Sequence, residues 1–187
     1  MYKVISKRNF LSILAIGNYK NDIFNQQAEK RGGVVKISES YGKPRLSFLH
    51  GDKEIELHII PGEKRPESMH LKCNIDSSKD YRLFIYKKTF VFNGGLFQAT
   101  GDSTIQISNP EFTKLFIAEG NEDEMVYRVL TSEIQQYFID QKKHRPVIHL
   151  AKGKFDFSII GRLKDKQELN LFIETGLAVI SKFDDPD

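Results

Sequence analysis

Apolar positions recur along this chain at two different periods, and the changes of period divide it into three stretches. Phe10, Ile13, Leu14, Ile16 and Tyr19, followed by Ile23, Phe24 and Ala28, fall three to four residues apart. That spacing predicts an amphipathic helix from residue 9 to about 30, closed by Gly32-Gly33, because glycine readily takes the left-handed conformation that ends a helix.

The middle of the chain then changes to a period of two. Val35 and Ile37 open a first strand, and Leu46 and Phe48 belong to a second that ends in the turn His50-Gly51-Asp52. Ile55, Leu57 and Ile59 alternate with Glu54, Glu56 and His58, the mark of a strand with one wet face. A polar loop from Pro61 to Pro66 follows, and then a strand carrying Leu71, Cys73 and Ile75. From Tyr81 to Phe92 both parities are apolar or aromatic, which predicts a strand covered on both faces. Asn93-Gly94-Gly95 is a turn signal. Leu96, Phe97, Ile105 and Ile107 continue the sheet, and Pro110 ends it.

The last third reads as helix, kink, helix, hairpin, helix. Asn121 stands where an N-cap belongs, before Glu122, Asp123 and Glu124, and Met125, Val126, Val129 and Leu130 supply a buried face. Thr131-Ser132 interrupts, and Ser132 with Gln135 makes a capping box for a helix to about Lys143. Pro146 starts a strand, Lys152-Gly153 turns it, and Phe155, Phe157 and Ile159 face inward on its return. Asp165 and Glu168 cap a final helix whose Leu169, Phe172, Ile173, Leu177, Ile180 and Phe183 keep helical spacing. The expected fold class is α+β: an antiparallel, curved sheet with an N-terminal helix, a kinked helix pair, a late hairpin and a C-terminal helix, in one domain spanning residues 1–187.

Composition narrows the functional classes. A chain of 187 residues buries enough surface to need no disulfide or metal, and its single cysteine, Cys73, suits a cytoplasmic setting. The net charge of +3 is too small to call for a polyanionic partner, and no nucleic acid is expected. The charge is unevenly placed, with 17 Lys and Arg against 10 Asp and Glu in residues 1–100, and 11 against 15 in residues 101–187. No stretch approaches the ~20 apolar residues of a membrane-spanning helix. Lys3, Lys7 and Arg8 before Phe10–Gly17 imitate a secretory leader, but the helical pattern runs on through Ile23 and Phe24. Those three cations beside an apolar helix face are instead candidates for peripheral contact with a membrane or a partner.

Few residues suggest chemistry. Asn93-Gly94-Gly95 and Thr100-Gly101-Asp102 are glycine-rich, yet neither precedes a predicted helix, so turn chemistry explains both and no cofactor is expected. Lys87 and Lys88 interleave with Phe84, Tyr86, Phe90 and Phe92 as in sheet-based RNA readers, but the opposite parity is apolar too, which favours a buried strand. His58 and His70 flank the Pro61–Pro66 loop. If their strands pair so that residue numbers sum to 128, His58 faces His70 and Glu56 faces Lys72 on one wet face. That would offer zinc two imidazoles and a carboxylate, against an adjacent ammonium; two exposed strand histidines are the plainer reading. His144 and His149 lack a partner at ligand spacing. Cys73 lies on the apolar parity of its strand, which marks it as a small core residue, and no serine sits in a GxSxG elbow.

Gly32-Gly33 after a helix, Gly101-Asp102, Phe112 and Phe116, and Val129-Leu130-Thr131 before an amphipathic helix, paired strands and a closing helix form an outline. It resembles a widespread prokaryotic family of uncharacterised proteins, built on a domain of unknown function. The resemblance implies a single conserved domain. Members commonly carry transmembrane segments ahead of it, which this sequence does not show, and the family supplies no catalytic residues. The expected function is therefore a non-catalytic interaction or regulatory module with an unknown protein partner. The alternative is binding or carriage of a lipid or other apolar ligand, for which fourteen phenylalanines could line a cavity, at a membrane surface or away from one. An enzyme of unknown class comes third.

Overall fold

The computed structural model describes residues 22–37, 42–62, 66–76, 80–88, 103–161, 163 and 165–183. Its elements are helix α1 (22–31), strands β1 (Val34–Ile37), β2 (Pro44–His50), β3 (Lys53–Ile60), β4 (Ser68–Asn74), β5 (Leu83–Lys87) and β6 (Ser103–Thr104). Helix α2 (Pro110–Leu115), strand β7 (Phe116–Gly120), and helices α3 (Asp123–Val129) and α4 (Ser132–Asp140) follow. Strands β8 (Val147–Ala151) and β9 (Lys154–Ile160), helix α5 (Lys166–Ile180) and a 3-10 turn at Ser181–Phe183 close the chain.

The fold is α+β. Among the described residues nine strands form one open sheet in the order β1-β2-β3-β4-β9-β8-β5-β7-β6, and every neighbouring pair is antiparallel. Alternation of side chains assigns its two faces. Leu46, Leu57, Leu71, Phe157, Ile148, Ile85 and Ala118 lie opposite one another in a single row across seven strands. All seven are buried, and the helices pack over them in one core. Gly176 lets α5 come close. A Cβ added there would stand 3.1 Å from side-chain atoms of both Leu71 and Phe157.

Most local expectations hold. α1 ends at Gly32, where φ is +63°. The β8–β9 hairpin turns at Lys152 and Gly153 with φ of +53° and +67°, the paired positive angles that match the twist of antiparallel strands. Asp165 Oδ1 accepts the N–H groups of Gln167 and Glu168 at 2.8 and 2.9 Å, capping α5.

Four expectations change. Pro110 does not merely end a strand. It starts α2, whose cap is Asn109, and its missing N–H is harmless at a first helical position. Ile105 and Ile107 are buried, yet among the described residues the strand there is Ser103–Thr104, with one further bond from Ile105 N–H to the Ala118 carbonyl. The cap of α4 is Thr131 rather than Ser132; its hydroxyl accepts from Ile134 N–H, while Gln135 donates to the Leu130 carbonyl, and the helix stops at Asp140. Asn121 does not cap α3, whose N-cap Glu122 makes no side-chain bond. Instead Asn121 Oδ1 accepts Arg82 N–H and Nδ2 donates to the Asp80 carbonyl, both at 2.7 Å. The side chain thus clamps the entry of β5 to the exit of β7. Asn121→Ala should lower stability by about 1–2 kcal/mol in urea unfolding, the worth of two such bonds partly open to water. Asn121→Asp, which keeps the acceptor, should recover about half.

Candidate functional site

The face of the sheet turned away from the helices carries most of the chemistry that the described residues offer. Across it runs the row Ser47, Glu56, Lys72, Asp156, His149, Phe84 and Glu119, each opposite the next on neighbouring strands. A parallel row holds Arg45, His58, His70, Ser158 and Val147. The β3–β4 register is the one that places His58 opposite His70 and Glu56 opposite Lys72.

The two imidazoles stack, with ring centroids 5.7 Å apart and planes 14° from parallel. Both ring nitrogens of His70 are engaged. Its Nε2 lies 2.9 Å from Ser68 Oγ, and its Nδ1 lies 2.9 and 3.1 Å from the two oxygens of Asp156. Lys72 approaches Asp156 Oδ2 at 3.4 Å, and Arg45 pairs with Glu56. His58 Nδ1 is buried with no hydrogen-bond partner among the described residues. Among those residues, no group of three or more metal-ligating side chains comes together. His70 is bonded to a carboxylate and a hydroxyl, Lys72 pairs with the same carboxylate, and a metal ion would meet a His70 whose nitrogens are already committed.

Burial and charge set the protonation of this cluster. Burial pushes the His58 pKa down from 6.5 to about 4, and the nearby Lys72, His70 and Arg45 push the same way against Asp156. For Asp156, burial raises the pKa, but hydrogen bonds and charge from His70 and Lys72 outweigh it and leave the carboxyl below its usual range. His149, opposite Asp156, is lowered by burial and partly restored by that carboxylate.

The same face becomes apolar further along. Phe84, Tyr86 and Val147 form a second buried cluster with Ile117 against it. Phe84 and Tyr86 stack at 4.5 Å, so these aromatics are not exposed platforms for bases. The Tyr86 hydroxyl donates to buried Glu119 at 2.9 Å; burial first, then that bond and charge, raise the tyrosine to about 12. Asp156 and Ser68 went unnoticed in the sequence, and His149 was set aside for want of a partner at ligand spacing, because their signal is one of pairing. Each lies on the wet parity of its strand, but nothing local says that β9 lies beside β4. His144 sits elsewhere, buried in the turn after α4 beside Gly161.

Two other surfaces bear on function. The edge strand β1 pairs only with β2 among the described residues, and it presents Val34 and Ile37 at 58% and 52% exposure, with Leu49 of β2 at 69%. Between α1 and α5 lies an open cleft of about 500 Å³, lined by Gln26, Lys30, Asn170, Leu171 and Glu174 among others. There Lys30 donates to Asn170 at 2.7 Å and Arg31 pairs with Glu174 at 2.6 Å, fastening the two helices. Lys3, Lys7 and Arg8 lie outside the described residues, as do the glycine-rich Asn93–Gly95 and Thr100–Asp102 segments. Among the described residues no helix is long and apolar enough to cross a membrane.

No family model matches the chain, and no curated protein matches it in sequence. Among solved structures the chain is similar to the mycobacterial trehalose monomycolate transport factor A, TtfA, with a TM-score of 0.57. The match covers 89% of this chain and 93% of that one at 6% identity, so the likeness is one of fold.

Proposed function

We propose that the protein is an interaction or regulatory module that takes an extended segment of a protein partner along the β1 edge. The observation supporting this reading is the exposure of Val34 and Ile37 on a strand hydrogen-bonded on one side only among the described residues. Natural proteins usually blunt such an edge, and an added strand would satisfy the N–H and C=O groups left open among the described residues while covering the β-branched side chains. The test compares wild type with Val34→Glu/Ile37→Glu in quantitative enrichment from the source cells, followed by binding of the purified partner. A partner that binds the wild type directly and loses at least tenfold in affinity for the variant is expected. Equal binding by both proteins would remove the edge from consideration.

The second reading is carriage of a lipid or other apolar ligand. It is favoured by a fold shared over most of both chains with a factor named for trehalose monomycolate transport. Native mass spectrometry after mild purification should then show a bound ligand, and a clean apo mass would sink it. Peripheral membrane contact through Lys3, Lys7 and Arg8, a cytoplasmic setting and membership of a prokaryotic family belong to the same proposal. Anionic-vesicle sedimentation that Lys3/Lys7/Arg8→Ala leaves unchanged would remove the membrane contact.

A further inference from the structure

The polar face contains one arrangement that an interaction role does not use. Ser68, His70 and Asp156 form a hydrogen-bonded relay, with Ser68 Oγ on His70 Nε2 at 2.9 Å and Asp156 on His70 Nδ1 at 2.9 and 3.1 Å. The partners assign the protons. An ionised carboxylate can only accept, so Nδ1 carries the hydrogen that points at Asp156. When the ring is neutral, Nε2 is then bare and accepts from the Ser68 hydroxyl. Lys72, 3.4 Å from Asp156 Oδ2, favours the ionised carboxylate. These are the relations of nucleophile, base and orienting acid that define a serine triad, which is recognised by geometry rather than by order along the chain.

The scaffold is rigid. Ser68 and His70 stand two apart on β4, hence on one face, and Asp156 comes from adjacent β9; both are interior strands of the sheet. Ser68 is partly exposed at the start of its strand. Its cross-strand neighbours are Ile60 on one side and Ile160 on the other, both partly exposed as well. An apolar group bonded at Ser68 would lie against them.

We propose that Ser68 is an acyl-accepting nucleophile, with His70 its general base and Asp156 the positioning residue for His70, acting on carboxylic esters of apolar acyl groups. Ser68 Oγ adds to the ester carbonyl as its proton passes to His70 Nε2. The tetrahedral adduct collapses by breaking the bond to the alcohol oxygen, which takes the proton from His70. Water, deprotonated by His70, then cleaves the acyl-Ser68 ester, so ester and water become acid and alcohol. Among the described residues no donor is placed for the oxyanion, and a site without one is slower by about 10²–10³. Covalent capture of Ser68 is therefore a better readout than turnover.

The test is reaction of the purified chain with an alkyl fluorophosphonate, in which the serine oxygen bonds phosphorus, fluoride leaves and the proton goes to His70. Intact mass and peptide mapping should show one adduct, on Ser68, absent from Ser68→Ala and formed about 100-fold more slowly in His70→Ala. Ser181 is the internal control. It too meets a histidine, His50 at 3.1 Å, but its hydroxyl is already donated to the Leu177 carbonyl, so Ser181→Ala should label normally. Asp156→Asn should slow labelling and move the inflection of its pH–rate profile, whereas a merely structural aspartate would lower the yield alike at every pH. No adduct on the wild type, an adduct surviving in Ser68→Ala, or equal rates in wild type and His70→Ala would each overturn the proposal. None of these outcomes depends on whether β1 binds a partner.

Discussion

Phe157→Ala should lower the stability of the fold by about 3–5 kcal/mol, the range for removing a fully buried aromatic. Phe157 is 0% exposed in the middle of β9. Its ring stacks on Phe172 of α5 at 4.6 Å and meets Phe138 and Tyr137 of α4 at 6.3 and 5.8 Å. On the sheet it stands between Leu71 and Ile148. One side chain thus joins two helices to the three central strands, and no single neighbour can move to fill the space without leaving another. Phe157→Leu should recover about half of the loss because it leaves a smaller cavity. Urea unfolding followed by far-UV circular dichroism measures both. A loss below about 1 kcal/mol for the alanine variant would mean that α4 and α5 are not anchored through this ring.

The second large effect is a loss of stability in mild acid. His58 has its pKa lowered from 6.5 to about 4 in the folded protein, first by burial and then by Lys72, His70 and Arg45. Between those values the unfolded chain binds a proton that the folded one refuses. Stability is therefore complete above about pH 6.5 and falls as pH drops toward 4. The shift would be worth about 3 kcal/mol if fully expressed, and roughly 2 after allowance for screening by solvent. His149, lowered mainly by burial, contributes in the same direction. Asp156, held below its ordinary carboxylate range, adds its loss only at more acid pH. Unfolding free energies at pH 7 and pH 4.5 should thus differ by about 2 kcal/mol for the wild type, and by distinctly less for His58→Phe. An equal slope in both proteins would show that His58 is not the group refusing the proton.

Particular residues show what could be read in advance. The faces of β2, β3, β4 and β9 were legible because alternation is local: Leu57, Leu71 and Phe157 are buried where their parity says, and His58, His70 and Asp156 lie on the other side. Leu169 to Ile180 predicted the buried stripe of α5 for the same reason at another period. Asn121 misled because its position before three acids suits a cap, whereas Arg82 N–H and the Asp80 carbonyl, some forty residues earlier in sequence, compete for the same side chain and win. Helix α2 was missed because six residues are too few to display a period.

The late hairpin marks the division most clearly. Its two strands, its Lys152-Gly153 turn and its inward Phe155, Phe157 and Ile159 were set by the sequence alone, since turn geometry and side-chain alternation depend on a handful of neighbouring residues. That β9 would insert beside β4 and β8 beside β5, making the hairpin the centre of the sheet, was decided only in the tertiary structure. Several strand orders would hide those same apolar faces, and the choice rests on how the helices and both ends of the sheet pack together. The placement of Asp156 against His70, and with it the relay to Ser68, follows from that long-range choice.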